Sequence, residues 1–390
     1  MRPQGVELLC VLRDALGVEP LSAGFAVGDG AALFAVAERQ QLAQLLAGPL
    51  STCGALATLP TELSERMERA RLLAVYSVTR LAHAQTEITD LFEREGIDYT
   101  PLKGAILREL WPAPWMRTSC DLDLLIRPED TARATEALTQ QLGYSLRTVG
   151  FRDASLYSQD GSIHVELHFT LKNPTDRGTA LAAPWDYAER IGDSHAHRLR
   201  SDYLIYYLIC HLLAHMESGG GGIRPVIDLA LLCRRPYDRA RLDALLRDGG
   251  LALFADAVLA LGEGILGDGV PMGTPAALLD WLIGGETYGE MHRRAEVKRA
   301  KGSTPATRRG RRRYILSRLF PPRRELALVY PSVGRHAWLY PVGVLRRSLR
   351  LLFGGRLGVA LRRLRAEREA ERIPPAPAEA LFRELGLREE

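Results

Sequence analysis

The chain has 390 residues, 46% of them apolar and 25% charged, with a formal net charge of +4. That length exceeds what one core usually holds, so two or three packed units are expected; the composition excludes global disorder, and so small a charge singles out no class of partner. The five cysteines, Cys10, Cys53, Cys120, Cys210 and Cys233, are odd in number and far apart, which excludes a disulfide framework and paired zinc ligands and points to a reducing cytosol.

In chain order, Arg2, Glu7, Arg13 and Asp14 interrupt the N-terminus before any long apolar run, so no signal peptide is expected. Asp29, Asp256 and Glu263 break the most apolar stretches, so no transmembrane span is expected either. From Ala31 to Glu95 the pattern is helical, with Leu72, Leu73, Val75, Val78 and Leu81 recurring at three- and four-residue spacing. Gly96 ends the last of these helices. Ile97 to Leu102 reads as a short strand that delivers Lys103 and Gly104 to a turn, with a helix expected over 105–111. A strand follows at 120–126. Pro128, Glu129 and Asp130 then open a helix that closes at Gly143, with proline and acids at its start and glycine past its end.

Strand, turn, helix, strand, helix, strand, strand between 97 and 170 makes a compact mixed α/β unit. The chain then returns to helices over 202–217, 224–234, 237–249, 251–266, 273–283 and 343–370, with a flexible connector of Ser218 and the glycines 219–222. The expected organisation is an N-terminal helical segment (1–95), the α/β core (96–200), a helical domain (201–285), and a basic loop with a C-terminal helical segment (286–390). Ten Lys or Arg residues between Arg293 and Arg313, opposed only by Glu296, default to a solvated loop, because aromatic interleaving is sparse and no base-reading module accompanies them. Nucleic acid is therefore set aside as a partner. The helix beyond Val342 carries Arg346, Arg347 and Arg350 among leucines; packing with the arginines outward is preferred to contact with an anionic membrane, since Gly354 and Gly355 interrupt it.

The chemistry concentrates on two strands. In the run from Cys120 to Ile126, the two-residue period aims Asp121 and Asp123 at one face while Leu122, Leu124 and Ile126 anchor the other. In the run from Ile163 to Phe169, the apolar Ile163, Val165, Leu167 and Phe169 fall on one side, and His164, Glu166 and His168 fall on the other, supplying a third carboxylate. Three converging carboxylates repel one another unless divalent cations neutralise them. Hard oxygen donors with no soft Cys or His set nearby favour Mg²⁺ or Mn²⁺ over zinc. Two such ions would clamp an acceptor hydroxyl and an attacked phosphate. Lys103-Gly104 suits a phosphorylated donor, because glycine permits close backbone approach, a helix N-terminus welcomes anions, and lysine adds a point charge. Neutralising Asp121 and Asp123 together is expected to abolish the chemistry and leave the fold intact or more stable.

On these residues the chain resembles the nucleotidyltransferase superfamily of polymerase-β-like fold, closest to a bacterial branch described only as nucleotidyltransferase family proteins. The resemblance rests on Lys103-Gly104, Asp121-Leu122-Asp123 and Glu166. It extends through Tyr99, Arg117, Gly143-Tyr144, Glu166-Leu167-His168, His211 with His215, Arg224 with Asp228, Phe320-Pro321 and Tyr330-Pro331. It implies an α+β protein in which a small mixed-sheet nucleotidyltransferase domain is embedded between N-terminal and C-terminal helical segments. It also implies transfer of a nucleoside monophosphate from an NTP to a hydroxyl or similar group of a small molecule, peptide or protein, with release of pyrophosphate. Asp121, Asp123 and Glu166 would then hold Mg²⁺ or Mn²⁺, and Lys103 with Gly104 would hold the donor phosphates. Most superfamily members carry Gly-Ser or Gly-Gly where this chain has Lys-Gly, so Lys103 would replace the serine contact electrostatically.

Other positions keep two readings. Arg117 either orients a phosphate or pairs with the acidic cluster. His211 and His215, four apart on one helix face, line an acceptor pocket with His168 or pack beneath the α/β unit; a zinc site is disfavoured because His-Leu-Leu-Ala-His lacks the glutamate of a zinc protease motif. Asp228, four residues after Arg224, forms an intrahelical ion pair or acts as a base in the acceptor pocket. A noncatalytic scaffold of the same fold, serving a biosynthetic or regulatory complex, is the alternative, and retention of all three acids argues against it.

Overall fold

The structure, a computed structural model, describes residues 3–150, 152–172, 178–267, 271–285, 287, 293–294, 296–297, 320, 323, 336–353 and 376–387. The chain divides into two compact units, Met1–His215 with Gly221–Thr287, and Met216–Gly220 with Tyr288–Glu390.

The first unit opens with α1 (Pro3–Ala15), α2 (Gly30–Arg39), α3 (Ala47–Thr52) and the long α4 (Thr61–Glu95). Asp29 caps α2, its carboxylate accepting from the Ala32 N–H at 2.9 Å. Along α4, Leu63, Met67, Ala74, Val78, Leu81, Ala84, Ile88 and Leu91 form one buried stripe. Leu72, Leu73 and Val75, expected on the apolar face, fall off that stripe and are exposed. Gly96 stops the helix at φ +64°, a conformation without cost only for a residue lacking Cβ, and the Ile97 N–H closes back onto the Phe92 carbonyl.

Next come β1 (Tyr99–Pro101), α5 (Gly104–Leu107), β2 (Leu122–Ile126), α6 (Thr131–Gln141), β3 (Ser145–Val149), β4 (Asp153–Tyr157) and β5 (His164–His168). They build a five-stranded sheet in the order β1-β2-β5-β4-β3. Only β2 and β5 run parallel; the other neighbours are antiparallel. Parallel neighbours need a crossover, which α6 and the β3–β4 hairpin provide. This is the α+β arrangement the sequence implies, with one strand more than expected. The additional strand hides because β3 is exposed along its whole length and shows no in-out alternation. The helix expected over 105–111 is also shorter: α5 ends at Leu107 and a 3-10 turn spans Arg108–Leu110. Pro112 explains the stop, since the residue before proline is pushed out of the helical region and Trp111 sits at ψ 156°.

One face of the sheet is core. Leu122, Leu124, Ile126, Leu156, Val165 and Leu167 pack against Ile88, Leu91 and Phe92 of α4 and Leu138 of α6. Burying each leucine stabilises by about 1.5–3 kcal/mol, and a one-residue slip of β2 would drive Asp123 into that core. The apolar face therefore fixes where the acidic face points.

A two-stranded antiparallel ribbon, β6 (Ala188–Arg190) and β7 (His197–Leu199), leads into α7 (Ser201–Glu217). Every residue of α7 from Tyr203 to Cys210 is buried, as befits a helix enclosed on all sides. Then follow α8 (Arg224–Cys233), α9 (Arg239–Asp248), α10 (Ala252–Leu266) and α11 (Thr274–Gly284), close to their expected places.

The second unit contains α12 (Tyr340–Phe353) and α13 (Ala376–Glu384). Most of the basic run 293–313, the continuation of the 343–370 helix past Phe353, and the Pro321 and Tyr330-Pro331 positions lie outside the described residues. Among the described residues, no helix is long and apolar enough to cross a membrane.

Candidate active site

The register of the parallel pair creates the site. Asp123 lies directly beside Glu166 and Leu125 beside His168, with Asp121 one pleat earlier at the mouth of β2. The acids join two sets of ligand atoms that share Glu166. One is Asp121, His164 and Glu166, all partly exposed; the other is Asp123, Glu166 and His168, and within each set the ligand atoms lie within 4.8 Å of one another. His164 and His168 therefore stand among the candidate donor atoms beside the carboxylates. The reason was visible in the period of β5, since residues 164, 166 and 168 share one face.

Asp123 is 1% exposed, and its Oδ1 takes two partners. Lys103 Nζ donates to its Oδ1 at 3.0 Å, and His168 Nε2 donates to the same oxygen at 2.6 Å. Burial alone would raise the Asp123 pKa, but the Lys103 charge and the His168 hydrogen bond outweigh it and hold the carboxyl far below its usual range. The same pairing drives Lys103 and His168 upward against the opposing effect of burial. Glu166 is lowered, chiefly by its hydrogen bond from His168, whose Nε2 lies 3.4 Å from Oε2. Asp121 goes the other way: burial and the Asp123 charge raise it.

Lys103 reaches Asp123 from a tight turn in which the Ala105 N–H donates to the Leu102 carbonyl at 3.0 Å, while the Leu102 N–H donates to the Asp123 carbonyl at 3.0 Å. Its backbone sits at φ 40° and ψ −114°, a region glycine tolerates and lysine occupies at a cost of about 1–3 kcal/mol. Such strain persists because the ends of the residue are pinned, the backbone by the turn and the ammonium by Asp123. Gly104 is required for packing: a Cβ there would stand 2.6 Å from Ser119 Oγ and 2.9 Å from Arg117 Nη1. With only four residues in α5, the helix-terminus contribution expected for phosphate binding does not apply.

Arg117 lies in a buried ion pair with Asp228 rather than with the acidic cluster. Its Nη2 donates to Asp228 Oδ2 at 2.9 Å and its Nε to Oδ1 at 3.1 Å, while Trp111 Nε1 donates to Oδ1 at 2.8 Å. The expected intrahelical pair of Asp228 with Arg224 is replaced by this tertiary one, because Arg224 Nη1 donates instead to the Thr118 carbonyl at 2.8 Å. Arg108 lies alongside, its Nε donating to the Gly104 carbonyl at 2.6 Å, and burial and the Arg117 charge lower its pKa.

On α7 the four-residue spacing puts Tyr207, His211 and His215 on one face, within electrostatic reach of Lys103. Burial pushes the Tyr207 hydroxyl up to about 12, against the opposing effect of the nearby Lys103 charge. His211 and His215 share a hydrogen between their Nε2 atoms at 3.0 Å. Burial and the Lys103 charge hold His211 well below the usual histidine range and His215 at about 4, so both are neutral near pH 7. Of the four residues expected around an acceptor, His211 and His215 thus lie near Lys103, whereas His168 and Asp228 are buried with committed partners. Tyr207, Ser119, Arg108 and Trp111 carried no sequence expectation. Tyr207 precedes His211 by the same four-residue step that joins His211 to His215 and was legible on that ground.

No curated protein and no solved structure matches the chain. A family model described as uncharacterised nucleotidyltransferase matches residues 28–267, which takes in the whole five-stranded sheet, the Lys103 turn and α7. With more than half of its length inside that match and three carboxylates gathered on paired strands, the chain belongs to this nucleotidyltransferase family.

Proposed function

We propose that the chain transfers a nucleoside monophosphate from an NTP donor to a hydroxyl or similar group of a small molecule, peptide or protein. The acceptor oxygen bonds to the α-phosphorus, the bond to the β-phosphate oxygen breaks, and pyrophosphate leaves. The observation that carries this reading is the parallel pairing of Asp123 with Glu166, beside Asp121, in a chain of nucleotidyltransferase ancestry.

The residues present fit a divalent cation such as Mg²⁺ or Mn²⁺. Carboxylate oxygens dominate the donors, and Asp121 is raised by burial and by the Asp123 and Glu166 charges, a crowding of carboxylates that a cation would relieve. When bound, such an ion supplies Lewis-acid stabilisation of the phosphoryl oxygens. Glu166, ionised through His168 and partly exposed, takes the proton of the acceptor hydroxyl. Asp123, immobilised by Lys103 and His168, sets the position of that face. Lys103 places positive charge beside the donor phosphates, and the neutral His211–His215 pair with Tyr207 offers the acceptor a wall of hydrogen-bonding groups.

Calorimetric titration with ATP, GTP, CTP and UTP, with and without Mg²⁺ or Mn²⁺, tests the reading. Metal-dependent binding of at least one nucleotide, lost in Asp121→Asn, is expected. Failure of all four to bind in the presence of metal would refute it.

A further inference from the structure

In the second unit, apart from the acidic face, a 3-10 turn over Ala337–Leu339 leads into α12, and neither element carries an acidic residue. Sequence alone favours packing this helix with its arginines outward. In the structure its apolar positions meet solvent as well: Trp338 is 74% exposed, Val342 54% and Leu345 60%. These positions recur at steps of four and three residues, so they fall along one line of the helix surface. The sequence continues the same stepping at Leu349 and Leu352, within the bounds of α12. Single exposed apolar side chains are ordinary, whereas several in line with a tryptophan at one end mark a surface that something covers.

The charge around that line narrows what the cover is. Between Glu325 and Glu367 the chain has eight arginines and no acidic residue, although its 51 basic and 47 acidic side chains nearly balance overall. At about 100° per residue, positions 346 and 350 fall on one flank of the apolar line and position 347 opposite it. Arg346 is itself exposed. A second copy of the chain would set one basic flank against another, where like charges repel. A nucleic acid would meet the arginines but leave Trp338, Val342 and Leu345 in water. An anionic lipid surface satisfies both features, because indole rings and leucines enter the headgroup layer while arginines reach the lipid phosphates.

We propose that the Ala337–Leu339 turn and α12 form a peripheral docking face for an anionic lipid surface, with Trp338, Val342 and Leu345 in the headgroup layer and Arg346, Arg347 and Arg350 supplying the charge. The inference uses no residue of the acidic face and stands apart from the nucleotidyl-transfer reading.

The test mixes the whole chain with vesicles of phosphatidylcholine, and with vesicles of phosphatidylcholine and phosphatidylglycerol, and measures the bound fraction by flotation. Binding to the mixed vesicles alone, weakened by added salt, is expected. Arg346→Gln with Arg347→Gln should weaken it on the order of thirtyfold. Trp338→Ser with Leu345→Ser should weaken it by about tenfold or more. Far-UV circular dichroism checks the fold of both variants, and the wild-type comparison of the two vesicle types stands independently of them. No binding to the mixed vesicles, equal binding to the neutral ones, or binding unchanged in the serine variant would overturn the inference. So would a DNA duplex or a second copy of the chain taking this face while vesicles stay unbound.

Discussion

Replacing Asp228 by asparagine keeps the shape of the side chain and removes its charge, and the structure sets a large cost for doing so. The carboxylate is 2% exposed and serves three donors, Arg117 Nε and Nη2 and Trp111 Nε1. Removing one partner of a buried ion pair typically costs about 3–5 kcal/mol, because the remaining charge is left uncompensated in a poor solvent. The hydrogen bond from Trp111 to a charged acceptor is worth about 1.5–3 kcal/mol and is part of the same loss rather than an addition to it. Arg108 next to Arg117 aggravates the loss, since two buried guanidiniums would then face each other without an anion. We expect Asp228→Asn to lower the unfolding free energy by about 4 kcal/mol, with little dependence on salt because the pair is screened by protein rather than by ions. The double variant Arg117→Met with Asp228→Leu should recover most of that loss, since an apolar pair of similar volume avoids desolvating any charge. Urea unfolding followed by circular dichroism measures both. A loss below about 1 kcal/mol for Asp228→Asn, or a double variant no more stable than the single one, would refute the argument.

The two aspartates of the Asp-x-Asp run should behave oppositely when changed singly, against the expectation that neutralising both is harmless. Asp121→Asn relieves a carboxylate held up by Asp123 and should stabilise the metal-free chain, whereas Asp123→Asn strips Lys103 and His168 of their buried partner and should cost about 3–5 kcal/mol by denaturant unfolding. Gly104→Ala should destabilise by about 1–3 kcal/mol through its clash with Ser119, and Ser119→Gly in the same chain should recover part of the loss. His215 is held at about 4 in the folded chain and titrates near 6.5 when unfolded, so the unfolded state binds the extra proton between those values. Its contribution is therefore complete above pH 6.5 and is lost as pH falls towards 4, on the order of 3 kcal/mol. A wild-type stability curve no steeper over that window than that of His215→Phe would contradict this.

Much of the sheet was legible because the alternation of Leu122, Leu124 and Ile126 with Asp121 and Asp123 is imposed by burial of one face. The same period displayed His164 and His168 beside Glu166. Their place beside the carboxylates follows from that period alone. What the sequence could not carry was pairing across distance. Arg117 finds Asp228 111 residues later, and a local helical partner, Arg224, offered a simpler solution that tertiary packing overrode. The left-handed backbone of Lys103 was equally hidden, since only the neighbours that pin both ends of the residue make that conformation tolerable.

The β2–β5 pairing also sets when, during folding, the acidic face can form. Asp123 and Glu166 are adjacent only after α6 and an entire hairpin have been threaded between them, a closure that long-range topology makes slow. A nascent chain that has emerged only as far as residue 160 already carries Asp121, Asp123 and Lys103, yet it has no strand to complete the face. The acidic face is thus complete only once β5 has paired with β2.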